Sequence, residues 1–283
     1  MSNKNMRQMY MNRKLSEGYP GLKKMGSEYF SESQRKESRI PEIFQCINRL
    51  IDLPEGPQGK KTVAVVGCGP NPHSVKDLLI MGYDAIGVEP IAQWVHSGQQ
   101  LIGDSNSVRQ GHAELLPVEN NSQCAVLLES VLEHVDSPDK ALAEVFRVLV
   151  PGGVAYVQTT NRWRFSITGK NNEFSVRFFN WLPEIVKESY VYYHLHLNPS
   201  LAHYTSRPAV HWFSYPDLCK MGRKAGFSQF YSKLDLLEPN DPSVAKSKLR
   251  RFFLDKIRYR PWLRSLALTQ FGDSIFMLKR MCY

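Results

Sequence analysis

The 283-residue chain has little cysteine, no long apolar run and no leader-like beginning. Its five cysteines, Cys46, Cys68, Cys124, Cys219 and Cys282, are odd in number, widely spread and contain no C-x-x-C pair. That excludes a disulfide framework and a cysteine zinc site and leaves reduced thiols in a cytoplasmic protein as the expectation. No stretch approaches the roughly 20 apolar residues that span a bilayer. The start is polar and basic without an apolar h-region, so neither a secretory signal nor a transit peptide is expected. No H-x-x-x-H pair falls on a predicted helix, and His194-x-His196 alone is a weak pattern, so no metal is expected. Internal repeats and low-complexity tracts are also missing.

What is present is the composition of a globular domain with a real core, 42% hydrophobic and 22% charged. The net charge of +9 is local: eight Lys and Arg between 246 and 264 face one acid, Asp255, so this segment holds seven of the nine charges. It interleaves its cations with Phe252, Phe253, Tyr259 and Trp262. Such a helix packs its apolar face on the domain, lies on an anionic membrane surface, or grips nucleic-acid phosphates; the readings rank in that order, nucleic acid being the unlikely partner.

Periodicity organises the rest. Helices are predicted over 41–51, 73–81, 91–101, 136–149 and 215–225. Strands are predicted over 62–66, 84–89, 107–110, 124–130, 154–160, 229–236 and 273–280. Strand and helix alternate with short connections, which is the α/β plan of a doubly wound parallel sheet. Ligands bind such sheets at the carboxyl ends of the strands. Between 161 and 206 the alternation lapses into a segment rich in aromatics, His and Arg.

The run "TVAVVGCGPNPHS" sets a strand directly against a helix start. Gly67 and Gly69 let the backbone take unusual φ and be touched by a ligand. Gly-x-Gly after a strand fits a nucleotide-like ligand, a nicotinamide or flavin site, or a tight turn. Pro72 stands where the dinucleotide fingerprint has its third glycine, which disfavours a pyrophosphate there. Glu89 closes the next strand, where an acid can accept from two ribose hydroxyls.

"GHAELLP", "LLESVLEHV", "ALAEVFRVLVPGG" and "VAYVQTTN" follow in an order and spacing that resemble the class I S-adenosylmethionine-dependent methyltransferases. The likeness is greatest to the small-molecule type that includes quinone-biosynthesis and natural-product enzymes. It covers about 62–161 and resumes at "HWFSYPDLCKMGRKAGF". The resemblance implies a seven-stranded, mostly parallel sheet whose last strand is antiparallel, with an aromatic cap insertion and an N-terminal helical lid. It implies S-adenosylmethionine as cofactor and S-adenosylhomocysteine as product. The cofactor residues it implies are Gly67, Cys68, Gly69, Pro70 and Asn71 at the corner, Glu89 and Pro90 at the ribose, His112, Ala113 and Glu114 at the adenine, and Glu129 and Ser130 at the amino group. Two positions depart from the family pattern: His112 replaces an acid, and Gln123-Cys124 replace Phe-Asp.

Methyl transfer from a sulfonium is an in-line displacement in which the protein aligns the acceptor and excludes water. A base is needed only where the acceptor must lose a proton, and His134, just past a strand end, is the candidate. Arg162, Trp163, Tyr193, His194 and His211 are the acceptor-binding candidates, since rings stack on flat groups and arginines clamp anions. The expected organisation is a lid and helix over 1–56, a cofactor core over 57–160, an acceptor cap over 161–206, and the rest of the core over 207–283 with a basic helical insertion at 243–265. The expected acceptor is a small molecule or glycan-linked group, methylated at O rather than N. RNA methylation, an inactive cofactor-binding partner protein and a nicotinamide dehydrogenase are the alternatives. The expected location is cytoplasmic, with a possible peripheral contact to a membrane.

Overall fold

The computed structural model describes residues 38–164, 179, 182–191, 209–245 and 248–280. Residues 1–37 of the lid and helix expected over 1–56, and most of the cap expected over 161–206, with Tyr193 and His194, lie outside the described residues.

Seven strands form one sheet: β1 (Thr62–Val66), β2 (Asp84–Glu89), β3 (Val108–Gln110), β4 (Gln123–Glu129), β5 (Leu149–Gln158), β6 (Gln229–Ser232) and β7 (Ser274–Leu278). Their order is β3-β2-β1-β4-β5-β7-β6. β1 pairs in parallel with β2 on one side and with β4 on the other, so the order reverses there. Only β7 runs antiparallel, between β5 and β6. This is the expected doubly wound sheet with its antiparallel last strand.

The central parallel strands β1 and β4 are apolar and buried on both faces, as parallel strands between helix layers must be. Alternate residues of β1 serve opposite cores: Ala64 and Val66 face one, Val63 and Val65 the other. α1 (Ile40–Leu50), α2 (His73–Ile80) and α3 (Ala92–Ile102) flank the sheet on the side of Val63. α4 (Pro138–Val148) and, later in the chain, the helix over Tyr215–Ala225 cover the side of Val66. α4 starts where Ser137 Oγ accepts from Lys140 N and Pro138 fills a position that needs no N–H.

Three boundaries differ from expectation. β5 begins at Leu149, so Pro151-Gly152-Gly153 lie inside the strand, at a register irregularity opposite Gln123 to Ala125. The predicted strand over 229–236 stops at Ser232, where a Ser232–Asp235 capping box turns the chain into a short helix. The basic insertion runs on to residue 271.

Beyond β5, α5 (Glu184–Tyr190) packs with Phe179, Val191, Ala209, Val210 and Trp212 as a separate small core. α6 (Tyr215–Ala225), α7 (Lys233–Leu236), α8 (Pro242–Ala245), α9 (Lys248–Tyr259) and α10 (Pro261–Phe271) complete the described chain. α9 and α10 are tied down by their inner cations. Arg264 forms a two-bond pair with Asp235 at 2.8 and 2.7 Å, and Arg258 donates to the carbonyls of Leu234 and Leu237. Arg49 of α1 makes a matching pair, 2.6 Å on each bond, with buried Asp241.

Candidate functional site

The cleft lies where the strand order reverses, at the carboxyl ends of β1, β2 and β4. It is lined by Val66, Gly67, Gly69, Val88, Glu89, Pro90, Ile91 and Trp94 on one side and by Gly111 to Glu114, Glu129 to Val131, His134 and Val135 on the other.

The corner after β1 is braced by β2. Gly67 N and Cys68 N both donate to Val88 O, at 2.7 and 3.4 Å. Gly69 N donates to Glu89 Oε2 at 3.0 Å. Gly67 has φ +69°, and a Cβ there would meet Val131 Cγ2 at 2.6 Å, so glycine is required both by conformation and by space. Gly69 takes φ +70°. Pro72 precedes α2 and packs on Gly98 of α3, where a Cβ would lie 3.3 Å from the proline ring.

Glu89 is 3% exposed. Its Oε1 accepts from Ile91 N at 3.2 Å and its Oε2 from Gly69 N. A carboxylate has about four acceptor positions, so each oxygen keeps one for a ligand. Burial drives its pKa up to about 7, and the two backbone N–H groups hold it from rising further.

Ser130 follows β4 with φ +55°, a conformation L residues rarely adopt. Strain there turns the chain into the loop carrying His134. Glu133 in this loop is 1% exposed and accepts from Thr159 Oγ1 at 2.6 Å, while its carbonyl accepts from Val210 N at 2.9 Å. Glu129 pairs with Arg39, at the start of α1, across 3.5 Å. Burial raises the Glu129 carboxyl and Arg39 opposes the rise.

Most of the sequence candidates meet at this cleft: Gly67, Gly69, Glu89, Pro90, His112, Ala113, Glu114, Glu129, Ser130 and His134. Others stand elsewhere. Cys68 turns its side chain to the opposite face of the sheet, against Gly87, where burial raises its thiol pKa. Pro70 and Asn71 are buried behind the corner. Glu114 Oε1 accepts from Asp136 N at 2.7 Å, so it joins the two loops across the cleft mouth. His211 reaches Val135 O at 3.0 Å and anchors the segment beside β5. Arg162 and Trp163 line a separate hollow with Arg164, Leu182, Pro183, Glu184 and Lys187. Trp94 and Val131 were not among the candidates: the first is an unremarkable residue of a helix first turn, and the second matters only because it meets Gly67.

Residues 64–157, about a third of the chain, match the methyltransferase domain family. The matched stretch contains the cleft residues from Val66 to Val135. Among solved structures, the protein is similar to a chain of the complex formed by the Haloferax volcanii Trm112 methyltransferase activator, at 14% identity over 91% of this chain and 96% of that one, TM-score 0.50. It is also similar to the CurJ carbon methyltransferase, at 13% identity over 90% of this chain and 59% of that one, TM-score 0.50. A SAM-dependent methyltransferase from Thermotoga maritima shares 23% identity over 68% of this chain and 73% of that one, TM-score 0.40. No curated protein matches the chain. Among the described residues, no helix is long and apolar enough to cross a membrane.

Proposed function

We propose that this protein transfers a methyl group from S-adenosylmethionine to the oxygen of a small-molecule or glycan-linked acceptor. The observation that carries the cofactor site is Glu89, a buried carboxyl with one acceptor position free on each oxygen. Two vicinal ribose hydroxyls match that pair. The residues present fit the cofactor: Gly67 and Gly69 line the cleft without side chains, and Ala113 lines the opposite wall without bulk. When bound, the cofactor supplies an activated methyl on a positively charged sulfur. The residues of this chain do the rest. Glu89 holds the sugar, Gly67 and Gly69 admit the ligand to van der Waals contact, and Trp94 and Val135 exclude water. His134 borders the same cleft and takes the proton from a hydroxyl acceptor.

Calorimetry with S-adenosylhomocysteine and with NADH tests the cofactor reading. Micromolar binding of the first and none of the second is expected, and the reverse would overturn it. A lysate-metabolite screen with methyl-labelled cofactor identifies the acceptor. With it, His134→Ala should lower kcat about a hundredfold and leave S-adenosylhomocysteine affinity unchanged; an unaltered kcat would remove His134 from the mechanism.

We also propose that α9 and α10 contact an anionic membrane surface. Phe252, Tyr259, Trp262 and Leu266 are 57–78% exposed, beside exposed Arg251, Lys256 and Arg260. Rings at the surface between cations are the composition of an interfacial helix.

A further inference from the structure

Past β5 the chain runs through Thr159, Thr160 and Asn161 to Arg162, at the same edge of the sheet as the cofactor cleft. Asn161 is held from both ends of its amide: Nδ2 donates to Thr269 O at 3.1 Å, and Oδ1 accepts from Trp163 N at 3.0 Å. Arg162 N donates to Phe213 O at 2.9 Å. Arg162 is thus fixed by backbone on a rigid element. Facing it, α5 carries Lys187. This lysine is 3% exposed, and its Nζ lies 4.4 Å from the ring centroid of Trp212, itself 3% exposed.

Lys187 lines the hollow with Arg162, Trp163 and Arg164. Among the described residues its ammonium has no hydrogen-bond acceptor and no ion-pair partner. A buried ammonium with no carboxylate in contact is costly, and the ring face and the more distant charge of Glu184 return only part of the cost. Burial accordingly holds its pKa below the ordinary lysine range. The single acid in the lining, Glu184, is engaged with Arg162 Nη2 at 3.1 Å through both oxygens and is itself more than half exposed. Asp217 lies 3.8 Å from Arg162 on its other nitrogen, so among the described residues both nearby carboxylates face Arg162 and neither is in contact with the Lys187 ammonium. The hollow also offers planar geometry: a guanidinium for two-point contact and the exposed indole of Trp163, 60% accessible, for stacking.

We propose that this hollow binds an oxyanion, a phosphate or carboxylate borne by the methyl acceptor, with Lys187 and Arg162 as its two ligating side chains. The assignment of the oxyanion to the acceptor rests on the methyltransferase reading above. The two sites share one hydrogen-bonded unit. Glu133, next to His134, bonds Thr159 at the end of β5 and the backbone of Val210, two residues before Trp212. An acceptor anchored at the hollow would be oriented by the framework that sets His134.

The full chain labelled with 5-fluorotryptophan provides the test, with the Trp163 and Trp212 signals assigned by Trp163→Phe and Trp212→Phe. It is titrated with sodium phosphate and, separately, sodium acetate, against sodium chloride at matched ionic strength. A saturable shift of both signals in at least one oxyanion arm, absent in chloride, is expected. Lys187→Met, which keeps the volume and removes the charge, should weaken the oxyanion by tenfold or more. Equal shifts in chloride, no saturation in either arm, or an unchanged Lys187→Met would overturn the proposal. If Lys187→Met also loses S-adenosylhomocysteine, Arg162→Met at the solvent side decides by the same criterion. Saturation by phosphate but not acetate identifies a phosphorylated acceptor, and the converse a carboxylated one; both support the site. Loss of S-adenosylhomocysteine binding in the unmodified chain with oxyanion binding intact would sink the methyltransferase reading and leave the hollow standing.

Discussion

On the proposed function, Glu89 should link cofactor affinity to pH. In the free protein, burial places its pKa about 7, against an ordinary 4.5. A ribose diol donating to both oxygens favours the ionised form and draws the pKa back down. Were it restored to the ordinary value, linkage would require S-adenosylhomocysteine to bind about twentyfold more weakly at pH 5.5 than at pH 7.5, within a ceiling near 3 kcal/mol for the full shift. Close to one proton would be released per binding event near pH 5.8. Calorimetry in two buffers of different ionisation heat measures that proton directly. The sign for folding is opposite. Because the folded carboxyl binds its proton more tightly than the unfolded one, the ligand-free protein loses stability as pH rises from about 4.5 through 7. Glu89→Gln should abolish both slopes. It should also weaken the cofactor at pH 7.5 by tenfold or more, through loss of charge-assisted hydrogen bonds of roughly 1.5–3 kcal/mol. Affinity that stays level from pH 5.5 to 7.5 in the unmodified protein, or a slope that survives in Glu89→Gln, would refute the reasoning.

The corner, the Arg49–Asp241 pair and the C-terminal helices each give a further expectation. Gly67→Ala should cost about 2 kcal/mol or more in thermal or denaturant unfolding, from positive φ and the 2.6 Å approach to Val131, and Gly67→Ala with Val131→Ala should recover the steric share only. Asp241→Asn should cost about 2–3 kcal/mol by removing the charge on two 2.6 Å bonds. Because Arg49 holds the Asp241 carboxyl below its ordinary range, the contribution is present above the ordinary carboxylate pKa and is lost as pH falls through the depressed one; urea unfolding at pH 7 and pH 3 checks this. On the membrane reading, the protein should float with vesicles of 30% phosphatidylglycerol and not with pure phosphatidylcholine, and Phe252→Ser with Trp262→Ser should reduce flotation at least fivefold; equal recovery with both lipids would refute it.

The sheet was legible because its strands are buried on both faces. "VAVV" and "CAVLL" have no polar residue for solvent to claim, and that apolar run does not depend on tertiary detail. The ends of elements were less so. Ser232 and Asp235 form a capping box whose S-x-x-D spacing is in the sequence, yet the apolar residues around it read equally well as strand. Pro151-Gly152-Gly153 reads as a helix breaker but sits within β5, because a register irregularity against β4 absorbs it. At the cleft, Glu89 could be read from its place at a strand end. The side on which Cys68 falls could not, since it follows from the turn Gly67 makes. Long-range contacts were the invisible part. That Val131 demands glycine at 67, that Glu114 spans to Asp136, and that Lys187 lies over Trp212 are each decided by residues 22 to 64 positions apart. The N–H groups of the corner make the same point chemically. Sequence reasoning has this backbone open to a ligand, whereas three of its N–H groups are spent on Val88 O and Glu89 Oε2. On the proposed function, recognition at this corner therefore falls to the carboxylate and to shape, which is why a single titrating group should govern affinity here.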